Sequence, residues 1–334
     1  MPTHEPELLA RGRLTTDDGR LHPAARGFSR RPLLDAPLPG PWGRRKRWDY
    51  ACVLDERGAL QLTLADLDYL GLVELAWVDL DRRTVVSAGM ASPFGLGLAL
   101  GDGCGEGDAR GRLPFVRGSL VRRDGGVHLS ADGRGVQGRI QAEIFVGGAD
   151  ESLDVVVPFD EEGERFQLTS KHVARPAHGE VRVGGETIVI DGFGAFDHGR
   201  GVWPTETTWN WATAAGLSRG RRVGVQLGAR WTDGTGATEN GVFVDGRLDK
   251  LGCDVRLDYD LRSVEGPWTV RDRCGHVDLQ FWPRVTRRTN LELGLARTAL
   301  DLRFGRWTGH VIAFDERIVV DGFLGWAEEH RARW

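Results

Sequence analysis

From Trp48 onward apolar and polar residues alternate in runs of strand length: WDYACVLD, then ALQLTLADLDYL with Leu60, Leu62 and Leu64 two apart, then LVELAWVDL and TVVSAGM. A period of two sends successive side chains to opposite faces of a sheet, so each run predicts a strand with one face buried. Further strands are predicted at FVRGSLVRR, GVHLSAD, VQGRIQAEIF, LDVVVPF and RFQLTSKHV, and helices of ten or more residues find no place in the pattern. Residues 1–47, ending in PLLDAPLPGPWGRRKR, keep neither the strand nor the helix period for long. They predict a leader that wraps the surface through Leu33, Leu34, Leu38 and Trp42, or else a partly disordered tail.

The pattern also repeats. Aligned without gaps, Gly179–Arg200 (GEVRVGGETIVIDGFGAFDHGR) and Gly309–His330 (GHVIAFDERIVVDGFLGWAEEH) share Gly, Val, Glu, Ile, Val and then Asp-Gly-Phe. In the same order Trp48-Asp49-Tyr50-Ala51 is echoed by Trp209-Asn210-Trp211-Ala212, and Gly111-Arg112-Leu113 by Gly246-Arg247-Leu248. These echoes predict two homologous β units, about 48–200 and 201–334, each ending on the same strand and turn. Short antiparallel strands bury their apolar face either by packing two sheets or by closing a barrel, and the pattern leaves that choice open. The fold class is all-β, with two tandem barrels or half-barrels related by internal duplication.

Composition narrows the function. Apolar residues make up 40% of the 334, as in soluble globular proteins, and the 47 glycines are about twice the usual share of roughly 7%. Acidic and basic residues are finely mixed at a net charge of −4, which leaves no basic field for nucleic acid. With no signal-like N-terminus and no apolar run of about 18 residues, a soluble cytoplasmic protein without an integral membrane segment is expected. Nothing in the sequence fixes an oligomeric state. Cys52, Cys104, Cys253 and Cys274 form no CxxC pair and read as reduced thiols with a packing role. Gly95, Gly97 and Gly101 loosely match a dinucleotide fingerprint, but no βαβ unit follows and a loop is expected. HxH, HxxxH and GxxxxGK[ST] patterns are lacking, so no metal or other cofactor is expected.

The densest chemistry lies in TIVIDGFGAFDHGRGVWPTETTWNWATAAG, Thr187–Gly216. Asp197 and His198 are adjacent, so they form a dyad only in a turn, which Gly194, Gly199 and Gly201 would permit. In a pocket walled by Trp203, Trp209 and Trp211, desolvation would raise the Asp197 pKa and make it a general acid. Alternatively, Asp197 hydrogen-bonds turn amides and His198 satisfies a strand end. Arg200 either anchors an anionic group or pairs with an acidic neighbour such as Glu206. Trp209 and Trp211 project from one face, enclosing a ligand or joining the core, with Asn210 on the polar side. Thr238-Glu239-Asn240-Gly241 makes an Asn-Gly hairpin turn, or, if the strand starts earlier, sends Glu239 into the cavity as a second carboxyl beside Asp197, with Asn240 as a ligand contact. Glu328 and Glu329 stand where the repeat has His198 and Gly199, which hints at a divergent second site or at exposed terminal charges.

The runs WNWATAAG, TENGVFVDGRLDKLG and GWAEEHRARW together resemble the bacterial domain-of-unknown-function family DUF2804, over about 20–334. More distantly, AFDHGRG resembles the Asp-His-x-Trp-Gly-like turn of two-domain lipocalin-like proteins that include carotenoid 1,2-hydratase and tocopherol cyclase. An arginine here replaces their tryptophan. That likeness implies paired calycin-like barrels, an isoprenoid- or lipid-like small-molecule partner, and acid–base chemistry without metal or nucleotide. As a lyase- or isomerase-type enzyme the chain would hydrate, isomerise or cyclise its ligand with Asp197 as acid, His198 orienting or relaying the proton and Arg200 anchoring. A lipid carrier without turnover and a carbohydrate-binding or carbohydrate-processing β protein are the rival readings.

Overall fold

The alternating runs become strands almost throughout. A computed structural model describes residues 5–148, 150–293 and 296–333, and among these the one helical element is a 3-10 turn at Pro23–Ala25. Among the described residues no helix is long and apolar enough to cross a membrane. Two large antiparallel sheets carry the chain, one built mainly from 45–202 and the other from 206–333.

A long hairpin stands at the centre of each sheet, and the two hairpins follow the internal repeat. Phe166–Val183 with Glu186–Val202 forms the first, and Ala296–Ala313 with Glu316–Arg333 the second, each arm starting 130 residues after its counterpart. Arg45–Asp55 flanks the first hairpin as Glu206–Ser218 flanks the second, so the WDYA and WNWA echo marks equivalent strands.

Both sheets curl until distant strands meet. In the first, Thr84–Pro93 lies against Gly126–Gly135 and Gly138–Gly147, around an interior of Leu62, Leu75, Leu129, Ile144 and Ile190. In the second, Arg221–Ala229 meets Val255–Asp258 around Val225, Trp268, Phe281, Trp307 and Val320. A third apolar body fills the junction between the sheets and contains Val155, Trp203, Trp211, Trp231, Phe304 and Trp326.

A bulge in each hairpin decides which side chains reach that junction, because one extra residue exchanges the two faces of the strand beyond it. The first hairpin is bulged on its outgoing arm, between His172 and Arg175, with Ala174 at φ 57°. Ala177 and Val181 therefore line the first sheet's interior, whereas Lys171, also odd-numbered, faces the junction. The second hairpin is bulged on its returning arm, beside Gly322 at φ 69°. Ile318 and Val320 line the second interior, and beyond the bulge Leu324 and Trp326 face the junction.

The leader packs on the first sheet, where Leu14, Leu21, Ala25 and Leu38 meet Phe166, Leu168 and Val202. Leu33 is buried too, while Trp42 is exposed and rests against Phe94. Residues 1–4, and the Trp334 that ends the terminal motif, lie outside the described residues. Cys52 and Cys104 are free and buried, as the sequence suggests. Cys253 and Cys274 are not: the structure joins them as a disulfide. The ladder pairs Val255 with Asp272 and so sets the two cysteines opposite each other just beyond it, a juxtaposition their separation of 21 residues conceals.

Candidate active site between the sheets

The run AFDHGRG is not a turn. It continues the strand Glu186–Val202, where Asp197 has Lys171 opposite it on one side and Tyr50 on the other. Ladder partners share a face, and the Lys171 Nζ lies 3.0 Å from Asp197 Oδ1. From the other sheet Glu239 completes the group, its Oε2 3.1 Å from the same ammonium. Glu239 precedes the strand Asn240–Val244, and the reversal expected at Asn240-Gly241 falls instead at Asp245-Gly246, both at positive φ. Two features hold Glu239 in place. The buried Glu5 carboxylate accepts the Thr238 N–H at 2.9 Å and pairs with Lys250 at 2.7 Å. Gly228 leaves the necessary room, since a Cβ there would lie 1.9 Å from Glu239 Oε1.

Three further donors hold the two carboxyl groups. Thr169 Oγ1 donates to Asp197 Oδ1 and Trp48 Nε1 to Asp197 Oδ2, both at 3.0 Å, and Trp231 Nε1 donates to Glu239 Oε1 at 2.9 Å. The Lys171 ammonium also lies 4.2 Å from the Trp211 ring centre. Burial works against the Lys171 charge, but the two carboxylates outweigh it and raise the pKa. Burial also raises the Glu239 pKa, and the nearby Asp197 charge adds to the rise against the pull of Lys171. The group thus joins an ammonium whose charge its carboxylates favour to a carboxyl that keeps its proton to higher pH than an exposed glutamate does.

Aromatic rings wall the group. Trp203 stacks on Trp231 at 5.8 Å and meets Trp48 and Trp209 edge-on, each at 5.7 Å. Trp211 meets Tyr50 at 5.5 Å and Trp326 at 4.9 Å. Trp203 and Trp211 donate their indole N–H groups to Gln167 and Gln226, whereas the buried N–H of Trp326 has no hydrogen-bond partner among the described residues. Trp48, Tyr50 and Trp209 are half-buried. Trp48 approaches the strand closely because Gly199 lacks a side chain: a Cβ there would lie 2.2 Å from the ring.

The second sheet carries a counterpart. Trp209 Nε1 donates to Glu328 Oε1 at 2.9 Å, as Trp48 does to Asp197, and His330 Nδ1 lies 3.2 Å from the same oxygen. In the ladders Trp211 stands opposite Glu328 as Tyr50 does opposite Asp197. The bulge beside Gly322 therefore shifts the repeat by one residue, and Glu328 corresponds to Asp197 rather than to His198. Neither Glu328 nor Glu329 is an exposed terminal charge, both being buried.

His198 and Arg200 point the other way, as alternation on a strand requires, and form no dyad with Asp197. His198 Nδ1 contacts the Asp49 carboxylate, and Arg200 donates to Asp49 Oδ2 at 3.0 Å and to the Trp48 and Gly101 carbonyls. Arg200 does not reach Glu206, which lies 3.6 Å from Arg333. Burial disfavours the Asp49 charge, yet Arg200 and His198 hold its pKa down at about 2, while burial lowers that of His198. Asn210 and Asn240 likewise face away from the junction. Asn210 Nδ2 donates to the Tyr259 hydroxyl at 2.9 Å, and Asn240 Nδ2 to the Cys253 carbonyl at 2.9 Å. Of the residues singled out in the sequence, the junction brings together Asp197, Glu239, Trp203, Trp209 and Trp211. It adds Lys171, Trp48, Tyr50 and Trp231. One signal marked Lys171: the chain has three lysines, Lys46, Lys171 and Lys250, and the first two are buried.

The chain belongs to the family described as a domain of unknown function, DUF2804, whose model matches residues 5–334. No curated protein sequence matches it. Among solved structures, an AttH-type protein of Nitrosomonas europaea superposes with a TM-score of 0.53 at 12% identity, over 88% of this chain and 98% of that one. CghA with Sch210972 gives 0.50 at 12% identity, over 86% and 88%. Kievitone hydratase of Nectria haematococca gives 0.45 at 11% identity, over 98% of each chain. At these identities the first two likenesses are of fold alone, the tandem lipocalin-like architecture anticipated from the sequence.

Proposed function

We propose that the junction binds a small hydrophobic molecule and moves a proton to or from it, in a hydration, isomerisation or cyclisation. The observation that carries this reading is the Asp197–Lys171–Glu239 group, buried and charged, inside a wall of tryptophans. A fold stabilised by apolar contact has no need of two carboxyl groups around one ammonium, and such a group tunes proton affinity. Glu239, with its raised pKa, is the proton donor. Asp197, fixed by Trp48, Thr169 and Lys171, is the acceptor and offsets positive charge developing on the substrate. The indole faces exclude water and stabilise the same charge, and the free Trp326 N–H offers one donor to a polar substrate atom. Positioned acid–base groups contribute on the order of 10²–10⁴ in rate. That CghA was solved with the compound Sch210972 supports a compound-binding role for this fold. We place the activity in the cytoplasm.

The test is organic extraction and mass spectrometry of the purified wild type and of Glu239→Gln. An apolar compound that co-purifies with both, but in a chemically altered form in the variant, supports turnover. Identical compound in identical amount makes the chain a carrier. If neither protein retains an apolar compound and tryptophan fluorescence responds to oligosaccharides, the site is one for sugars.

A further inference from the structure

At an edge of the second sheet four side chains of metal-binding type converge. Cys253 lies just before the strand Val255–Asp258, Asp272 ends the strand Trp268–Asp272, and Cys274 and His276 sit in the turn that leads to Val277. One donor atom from each of the four lies within 4.8 Å of the others. The pairing of Val255 with Asp272 imposes this arrangement, and it places two thiols as readily as a disulfide.

The donor set is selective. Two thiolates, an imidazole and a carboxylate suit the tetrahedral coordination of zinc and not the oxygen-rich shells of calcium or magnesium. The supporting contacts are those of a held ligand set. The Asp272 side chain is only 1% exposed, its Oδ1 accepts the Val277 N–H at 2.9 Å, and its Oδ2 lies 3.1 Å from His276 Nδ1. Asn240 anchors the other segment through the Cys253 carbonyl at 2.9 Å. Cys274 is exposed, and His276 borders a groove of about 430 Å³, so the ion has a path from solvent.

We propose that, with Cys253 and Cys274 reduced, Cys253, Asp272, Cys274 and His276 form a zinc site that clamps this edge of the sheet. Cobalt(II) is the probe. The full chain is purified in a thiol-free reductant, stripped with a chelator and titrated with cobalt(II) and then zinc(II), read by absorption and metal analysis. The expected result is one cobalt per chain with an intense sulfur-to-cobalt band that zinc abolishes. Cys253→Ser and Cys274→Ser should each lose the band, and His276→Ala should weaken binding at least tenfold. Circular dichroism of the metal-free variants, unchanged from the metal-free wild type, shows that they remain folded. A reduced wild type without the band overturns the proposal, and so does a band that survives in Cys253→Ser. So too would a count of two thiols in the unfolded, air-purified chain combined with no metal uptake after reduction, which makes the pair a disulfide only.

Discussion

The two central hairpins arise from one repeated sequence, yet they offer the junction different chemistry. In the first, Asp197 has Lys171 opposite it in the ladder; in the second, Leu302 takes that place opposite Glu328. Both halves keep a tryptophan N–H on the carboxylate, at 3.0 Å from Trp48 and 2.9 Å from Trp209. Only the first supplies an ammonium, and only there does a second carboxyl, Glu239, arrive from across the junction. Duplication therefore furnished the indole–carboxylate pair twice; the first half added the ammonium, and Glu239 reaches it from the second. Bulge placement makes the comparison possible: on the outgoing arm it aims Lys171 at the junction, and on the returning arm it aims Glu328 and His330 there.

The largest effect should separate the two ladder positions. Lys171→Met leaves Asp197 and Glu239 buried together without a countercharge and is expected to cost about 3–5 kcal/mol. Leu302→Met, the matched change in the second hairpin, should cost less than about 1.5 kcal/mol. Urea denaturation of the pair measures both, and equal costs would remove the asymmetry.

A pH dependence nearly as large belongs to the first half. Burial raises the Asp154 pKa from 3.8 to about 7. The folded state thus holds a proton that the unfolded state has released, so this contribution is complete below about pH 4 and is lost as pH rises through about 7. The loss is up to about 4 kcal/mol. Asp154→Asn should level that part of the stability profile, and an unchanged slope would place the titration elsewhere.

Next in size are the matched indoles. Trp48→Phe and Trp209→Phe each remove one donor from a buried carboxylate, at about 1.5–3 kcal/mol apiece. Costs that agree within about 0.5 kcal/mol support equivalent roles. The bulges themselves should respond least. Gly322→Ala meets no atom closer than 3.8 Å and pays only for its positive φ, about 1 kcal/mol. Ala174→Gly relieves a similar strain but deletes a buried methyl worth about 0.8 kcal/mol, so the net change in thermal unfolding should be close to zero.

The all-β class and the duplication were legible because a period of two and an ungapped core survive in plain sequence. A bulge leaves no such mark. One extra residue reverses inside and outside, so the repeat alignment joins Glu328 to His198 although the ladder joins it to Asp197. The strand through AFDHGRG was hidden for a related reason: glycines that read as turn formers serve instead to admit bulky neighbours, as Gly199 admits the Trp48 ring. Glu239 was visible as an alternative to an Asn-Gly turn, and Asp245-Gly246 proved the stronger turn signal. Lys171, lacking any motif, was conspicuous only by the rarity of lysine.

The most direct test of proton transfer in the junction is isotopic. Hydrophobic metabolite extract is incubated in D2O with wild type, with Glu239→Gln and with His198→Asn, and compounds that acquire solvent deuterium are identified by mass spectrometry. The account predicts labelled product with the wild type, none above background with Glu239→Gln, and labelling retained by His198→Asn, whose side chain lies on the other face of the strand. Labelling that persists in Glu239→Gln but disappears in His198→Asn would move the chemistry into the interior of the first sheet and contradict the account.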